Sequence, residues 1–76
     1  MQVTELAVGL TDGKGELVRL YDWLAQRKIT VREINLKRKE GNSIKIVQYI
    51  AMPRHFDKAD FLRLQEDIPG VQSVEI

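Results

Sequence analysis

Thr11-Asp12-Gly13-Lys14-Gly15-Glu16-Leu17 separates two segments of different hydrophobic period, and that change decides the fold. Before it, Leu6, Val8 and Leu10 alternate with Glu5, Ala7 and Gly9, the period of two of a half-buried strand. After it, Leu17, Leu20, Tyr21 and Leu24 recur at i, i+3, i+4 and i+7, the stripe of an amphipathic helix over residues 15–28. Two glycines in three residues let the backbone turn sharply. They leave the first helical N–H groups without side-chain cover, where a small ligand can meet main chain; the other reading of the same residues is a plain turn. Gly9 predicts a gap on the strand's second face, open to another backbone or a ligand.

Downstream the pattern alternates again. Trp23 lies on the edge of the helical stripe, about 100° from its centre at 3.6 residues per turn. Arg27 and Lys28 follow at the negative end of the helix dipole. Residues 29–39 are strand-like, but Ile29 and Val31 are odd while Ile34 and Leu36 are even. This switch predicts either a loop start or a bulge near Arg32-Glu33. Glu40-Gly41-Asn42-Ser43 is a turn that closes an antiparallel hairpin. In residues 43–52, Ile44, Ile46, Ile50 and Met52 share one face, and Val47, Tyr49 and Ala51 share the other. A strand apolar on both faces is central, or has its second face covered by another subunit. Asp57 is an N-cap for a second helix, with Phe56 and Phe61 at hydrophobic-staple spacing. Phe61, Leu64 and Ile68 form its buried stripe, Pro69-Gly70 stops it, and Val71 to Ile76 is a short last strand. The order strand, helix, strand, strand, helix, strand predicts an α+β fold, the ferredoxin-like βαββαβ plait. It has a four-stranded antiparallel sheet with both helices on one face.

The bulk numbers narrow the function. The chain has 76 residues, which is one domain, 1–76, and a domain of this size buries only about 60% of its unfolded surface. Without cysteine it has neither a disulfide nor a thiolate metal site. Twelve Lys and Arg against 11 Asp and Glu give a net charge of +1, not the basic excess of a nucleic-acid binder. An RNA-recognition sheet stacks bases on aromatics of its central strands; Tyr49 is the sole aromatic on the third strand and the first has none. No apolar run approaches the ~20 residues that span a bilayer. Met1-Gln2-Val3-Thr4-Glu5 lacks the features of a secretory signal, so the expected location is cytoplasmic. The one histidine, His55, has no nucleophile beside it, which argues against an enzyme. Asp12 with Glu16, and Asp57 with Asp60, supply too few oxygens for a hard cation and read as helix capping; no metal or cofactor is expected. The glycine spacing also fails the Walker and dinucleotide patterns. Trp23, Val47, Tyr49 and Ala51 are the candidate interface residues, the other reading being that they edge the monomer core, and a homodimer is expected because an open apolar sheet face favours cover.

Asp12-Gly13-Lys14-Gly15-Glu16-Leu17, followed by Leu20, Leu24-Ala25 and Ile29-Thr30-Val31, resembles the ACT domain pattern: Asp-x-x-Gly-x-Leu in the first strand–helix turn, an apolar helix, then a second strand. Ile68-Pro69-Gly70-Val71 extends the likeness over essentially the whole chain, and Lys14 stands where the family usually has proline. The resemblance implies a non-enzymatic regulatory domain that dimerises and binds an amino acid or other small effector near that turn. Gly15, with Asp12 and Gly13, would be the effector-turn residues, and Thr11 and Leu17 bound the turn. Val71-Gln72-Ser73-Val74 is also similar to the last strand of the cytosolic C-terminal domain of MgtC/SapB-type membrane proteins. That likeness implies a docking domain of a larger membrane-bound protein, without membrane insertion of this segment.

Overall fold

A computed structural model of the protein describes residues 2–11, 13 and 15–76. Its elements are β1 (Gln2–Thr11), α1 (Glu16–Gln26), β2 (Thr30–Arg38) and β3 (Ser43–Met52). A 3₁₀ helix (Lys58–Arg63) then runs directly into α2 (Leu64–Asp67), and β4 (Val71–Glu75) ends the order. The strands form one antiparallel sheet in the order β2-β3-β1-β4. This is the expected plait, with the doubly apolar β3 in its interior. β1 and β3 pair without interruption from Gln2 opposite Met52 to Thr11 opposite Ser43.

The core lies between one sheet face and the helices. Leu6, Val8 and Leu10 from β1 and Ile44, Ile46, Ile50 and Met52 from β3 meet Leu20, Leu24, Phe61 and Leu64. Each such side chain contributes about 1.5–3 kcal/mol by leaving water. Gln48 is on the same buried face of β3, a polar residue in the middle of the apolar alternation.

The parity switch in β2 is a bulge. The register with β3 shifts between Arg32 and Asn35, and Glu33 takes the left-handed conformation with φ 49°. Two residues, Glu33 and Ile34, thereby oppose Gln48 alone, and Val31 and Leu36 end on one face, opposite Ile50 and Ile46. Ile34 and Leu36 nevertheless remain exposed, on the outermost strand.

α1 ends in a Schellman motif: the Lys28 N–H donates to Ala25 O at 3.0 Å and the Ile29 N–H to Leu24 O at 3.0 Å. The left-handed position is filled by Lys28 at φ 59°. The second helix differs from the sequence expectation. Asp57 does cap it, its carboxylate accepting from the Ala59 N–H at 3.0 Å, but the segment winds as 3₁₀ before its single α turn. In a 3₁₀ helix residues three apart eclipse, which puts Phe61 and Leu64 on one side, and both are fully buried. Phe56 and Phe61 pack at 5.1 Å between centroids with their rings tilted by 57°, the staple expected from their spacing.

Two expectations are corrected here. The gap predicted beside Gly9 is filled by Ser73, whose Oγ lies 2.5 Å from where a Gly9 side chain would begin. Trp23, expected at a subunit interface, is 6% exposed inside the fold. Its ring packs against Phe56 and Phe61, at 6.5 and 5.8 Å, and its Nε1–H donates to Asp67 Oδ2 at 2.8 Å. Arg27 lies 3.7 Å over the indole and 3.8 Å from the same carboxylate. The edge of the α1 stripe faces the neighbouring helix, a surface that a helical projection of α1 alone does not contain.

Candidate functional site

The end of β1 meets the turn before β4. The Thr11 N–H donates to Gly70 O at 2.9 Å, and the Thr11 hydroxyl reaches the same oxygen at 3.5 Å. Gly70 has φ 107°, and a side chain there would stand 2.9 Å from Glu16 Cγ and 3.0 Å from Thr11 Oγ1. Only glycine allows both that backbone and that approach. A cavity of about 310 Å³ results, lined by Thr11, Gly13, Glu16, Arg19, Pro69 and Gly70.

Glu16 begins α1 and is 5% exposed. Its carboxylate turns back over the loop, and the Gly13 N–H donates to both oxygens at 3.4 Å. A carboxylate at the start of α1 also faces the positive end of the helix dipole. The Gly13 main-chain donor, which precedes the helical N–H groups, is thus met by the chain's own acid. Arg19, exposed and one turn further along α1, supplies the opposite charge at the cavity rim. Gly15 is the N-cap in the left-handed conformation, φ 82°, with nothing within 4 Å of where a side chain would start. Its requirement is conformational, not steric.

Of the expected ligand residues, Thr11 and Gly13 line the cavity, and Gly15 shapes the turn that carries them. Asp12 lies outside the described residues, as does Lys14. Leu17 packs on the core instead of lining the cavity. Glu16, Arg19, Pro69 and Gly70 complete the wall. For Glu16 and Gly70 the sequence did hold a signal, an acid opening a helix and a Pro-Gly stop. That the two meet is a property of the plait, which brings the ends of β1 and the start of β4 together.

Val47, Tyr49 and Ala51 lie on the sheet face away from the helices, opposite Ala7, Glu5 and Val3 of β1. Tyr49 is exposed, Val47 half-buried and Ala51 buried by its neighbours. Trp23 belongs to the other layer, so these three do not share a surface with it. His55 is exposed in the connection after β3. Among the described residues no group of three or more His, Cys, Asp or Glu is placed to hold a metal ion, and no helix is long and apolar enough to cross a membrane.

The chain matches no family model and no curated protein. Solved structures do resemble it. The C-terminal domain of the MgtC protein from Mycobacterium tuberculosis superposes with a TM-score of 0.70 at 22% identity, over 99% of this chain and 84% of that one. The ACT domain from GTP pyrophosphokinase of Chlorobium tepidum gives 0.67 at 17% identity, over 96% and 94%. Formyltetrahydrofolate deformylase from Pseudomonas putida gives 0.73 at 16% identity; the match covers 99% of this chain but 29% of that enzyme. At these identities the likeness is one of fold, and the chain has the ferredoxin-like βαββαβ fold found in an ACT domain and in the C-terminal domain of MgtC.

Proposed function

We propose that this chain is a non-enzymatic regulatory module that binds a small effector, an amino acid in the first instance, at the turn between β1 and α1, and that works as a homodimer within a larger protein. The observation that carries the reading is the cavity at that turn, where Glu16 and Arg19 set opposite charges around the Gly13 N–H. An amino acid is itself a paired carboxylate and ammonium, so both of its charged groups find partners on one wall. Its carboxylate would compete with Glu16 for the Gly13 N–H, and this exchange links ligand binding to the start of α1. Effector binding regulates a parent protein to the extent that it favours one arrangement of the module.

Titration of the amino acids one at a time, followed by amide NMR, tests the reading. Saturable shifts at Gly13, Gly15 and Gly70 support it. Unmoved amides at all three positions with every amino acid would remove the sensor.

The likeness to the C-terminal domain of the MgtC protein favours a second reading. In it the module is a docking domain on the cytoplasmic side of a membrane-bound parent and holds no small ligand. The two readings divide on the same titration and on whether hydrophobic segments precede residue 1 in the full-length gene.

A further inference from the structure

We propose that two copies of this chain stack their open sheet faces about a two-fold axis that runs along the strands. The inference rests on the homodimer of the proposed function and gives it a geometry. Strand register defines that face row by row. Arg32, Tyr49 and Glu5 stand side by side on β2, β3 and β1. The next row is Asn35, Val47, Ala7 and Glu75, and the one after it carries Lys37 and Lys45.

Charge divides across this face. Arg32, Lys37 and Lys45 occupy the β2 and β3 side, while Glu5 and Glu75 occupy the β1 and β4 side. Glu33, in the bulge, borders Arg32 but leaves the side with a positive excess. None of these five charges is in the ion pair found among the described residues, Arg27 with Asp67. Between the two charged sides runs a strip containing Val3, Ala7, Val47 and Tyr49, with Val3 58% and Tyr49 41% exposed.

Stacked sheets lie about 10 Å apart, and where their strands are nearly aligned, the class of packing proposed for this face, a two-fold in the contact plane runs either along the strands or across them. An axis across the strands lays β2 on β2 and sets Arg32 against the second copy's Lys37. An axis along the strands lays β2 on β4 and β3 on β1. The second copy's Glu75 then faces Asn35, between Arg32 and Lys37, and its Glu5 faces Tyr49, with Arg32 next to it in the same row. Val47 meets Ala7 at the centre. Only the second axis makes the face self-complementary in both charge and apolar strip, and a two-fold interface must be self-complementary.

Sedimentation equilibrium at low ionic strength tests the geometry, with circular dichroism to verify that each variant is folded. The wild-type chain is expected to dimerise. Arg32→Glu with Lys37→Glu, and separately Glu5→Lys with Glu75→Lys, are each expected to weaken self-association by at least about tenfold in Kd. An equimolar mixture of the two double variants is expected to recover a mixed dimer. Wild-type monomers at high micromolar concentration overturn the proposal together with the homodimer. Dimers indifferent to both charge reversals, or variants that fail to recover on mixing, overturn the geometry alone. The effector titration is read separately and stands or falls independently of these results.

Discussion

The Tyr21 hydroxyl donates to Gln48 Oε1 at 3.0 Å, while Gln48 Nε2, wholly buried, has no hydrogen-bond partner among the described residues. One contact thus ties α1 to β3 opposite the β2 bulge, and one buried donor is left unmet. An unmet buried polar atom costs about 1–3 kcal/mol, whereas removing both members of a polar pair is nearly neutral. Gln48→Leu combined with Tyr21→Phe is therefore expected to leave stability unchanged or raise it by about 1 kcal/mol. Urea unfolding measures this, and a loss above that size would show that the pair is needed where it stands.

Tyr21 also makes a pH prediction. Burial raises its pKa above the ordinary 10.0, because the phenolate would lose hydration in the fold. At alkaline pH the unfolded chain therefore gives up this proton first. The contribution to stability is complete below pH 10 and is lost as pH rises through the higher folded value. Stability measured from pH 9 upward is expected to fall more steeply in the wild type than in Tyr21→Phe; parallel curves would remove Tyr21 as a cause.

Gly70 and Gly15 separate two reasons for glycine. Gly15→Ala meets open space and is expected to cost about 1 kcal/mol, the strain of a left-handed residue. Gly70→Ala meets that strain and Glu16 and Thr11 as well, and is expected to cost at least about 2 kcal/mol. The amide signals of Gly13 and Glu16 should also shift in the Gly70 variant, because the cavity wall must move. Equal losses at both sites would contradict the packing described.

Trp23 joins α1 to the second helical segment through two aromatic contacts and the bond to Asp67. Truncation to alanine is expected to cost about 3–5 kcal/mol. For a domain of 76 residues the whole stability is of the order of 4–11 kcal/mol, so Trp23→Ala should be marginal or unfolded by circular dichroism. A cooperative, near-wild-type melt would mean that Trp23 is not part of the core.

Lys28 holds the left-handed position of the α1 Schellman motif, where glycine is relaxed. Lys28→Gly is expected to raise stability by about 0.5–1 kcal/mol, since the site is already fixed by two backbone bonds. Thermal unfolding of the two proteins side by side is sufficient, and a lower midpoint in the variant would contradict this.

Much of this could be read from pattern. The parity switch from Val31 to Ile34 marked a break in the pleat, because a pleat has a strict period of two; that the break is a bulge and not a loop start was decided by the register with β3. The spacing of Phe56 and Phe61, and Asp57 as cap, located the second helical segment but not its 3₁₀ winding. Gln48 was hidden because a single polar residue in an apolar alternation has no neighbour in sequence that explains it. Its explanation is Tyr21, 27 positions away. Of the site, Thr11, Gly13 and Gly15 were legible as a glycine turn. Arg19, Pro69 and Gly70 were not legible as site residues, because nothing local connects them.

The sequence by itself determined the order of elements, the two apolar faces of β3, the break in the pleat of β2 and the turn that opens α1. These are set by hydrophobic period and by backbone preference, which act over a few residues. Tertiary structure alone decided that Trp23 is core, that Ser73 fills the space beside Gly9, that Glu16 meets the Gly13 amide beneath Gly70, and that positive and negative charge fall on opposite sides of one face. Each of those depends on segments far apart in the chain meeting in space. Such meetings follow from strand order and packing, not from any periodicity along the sequence.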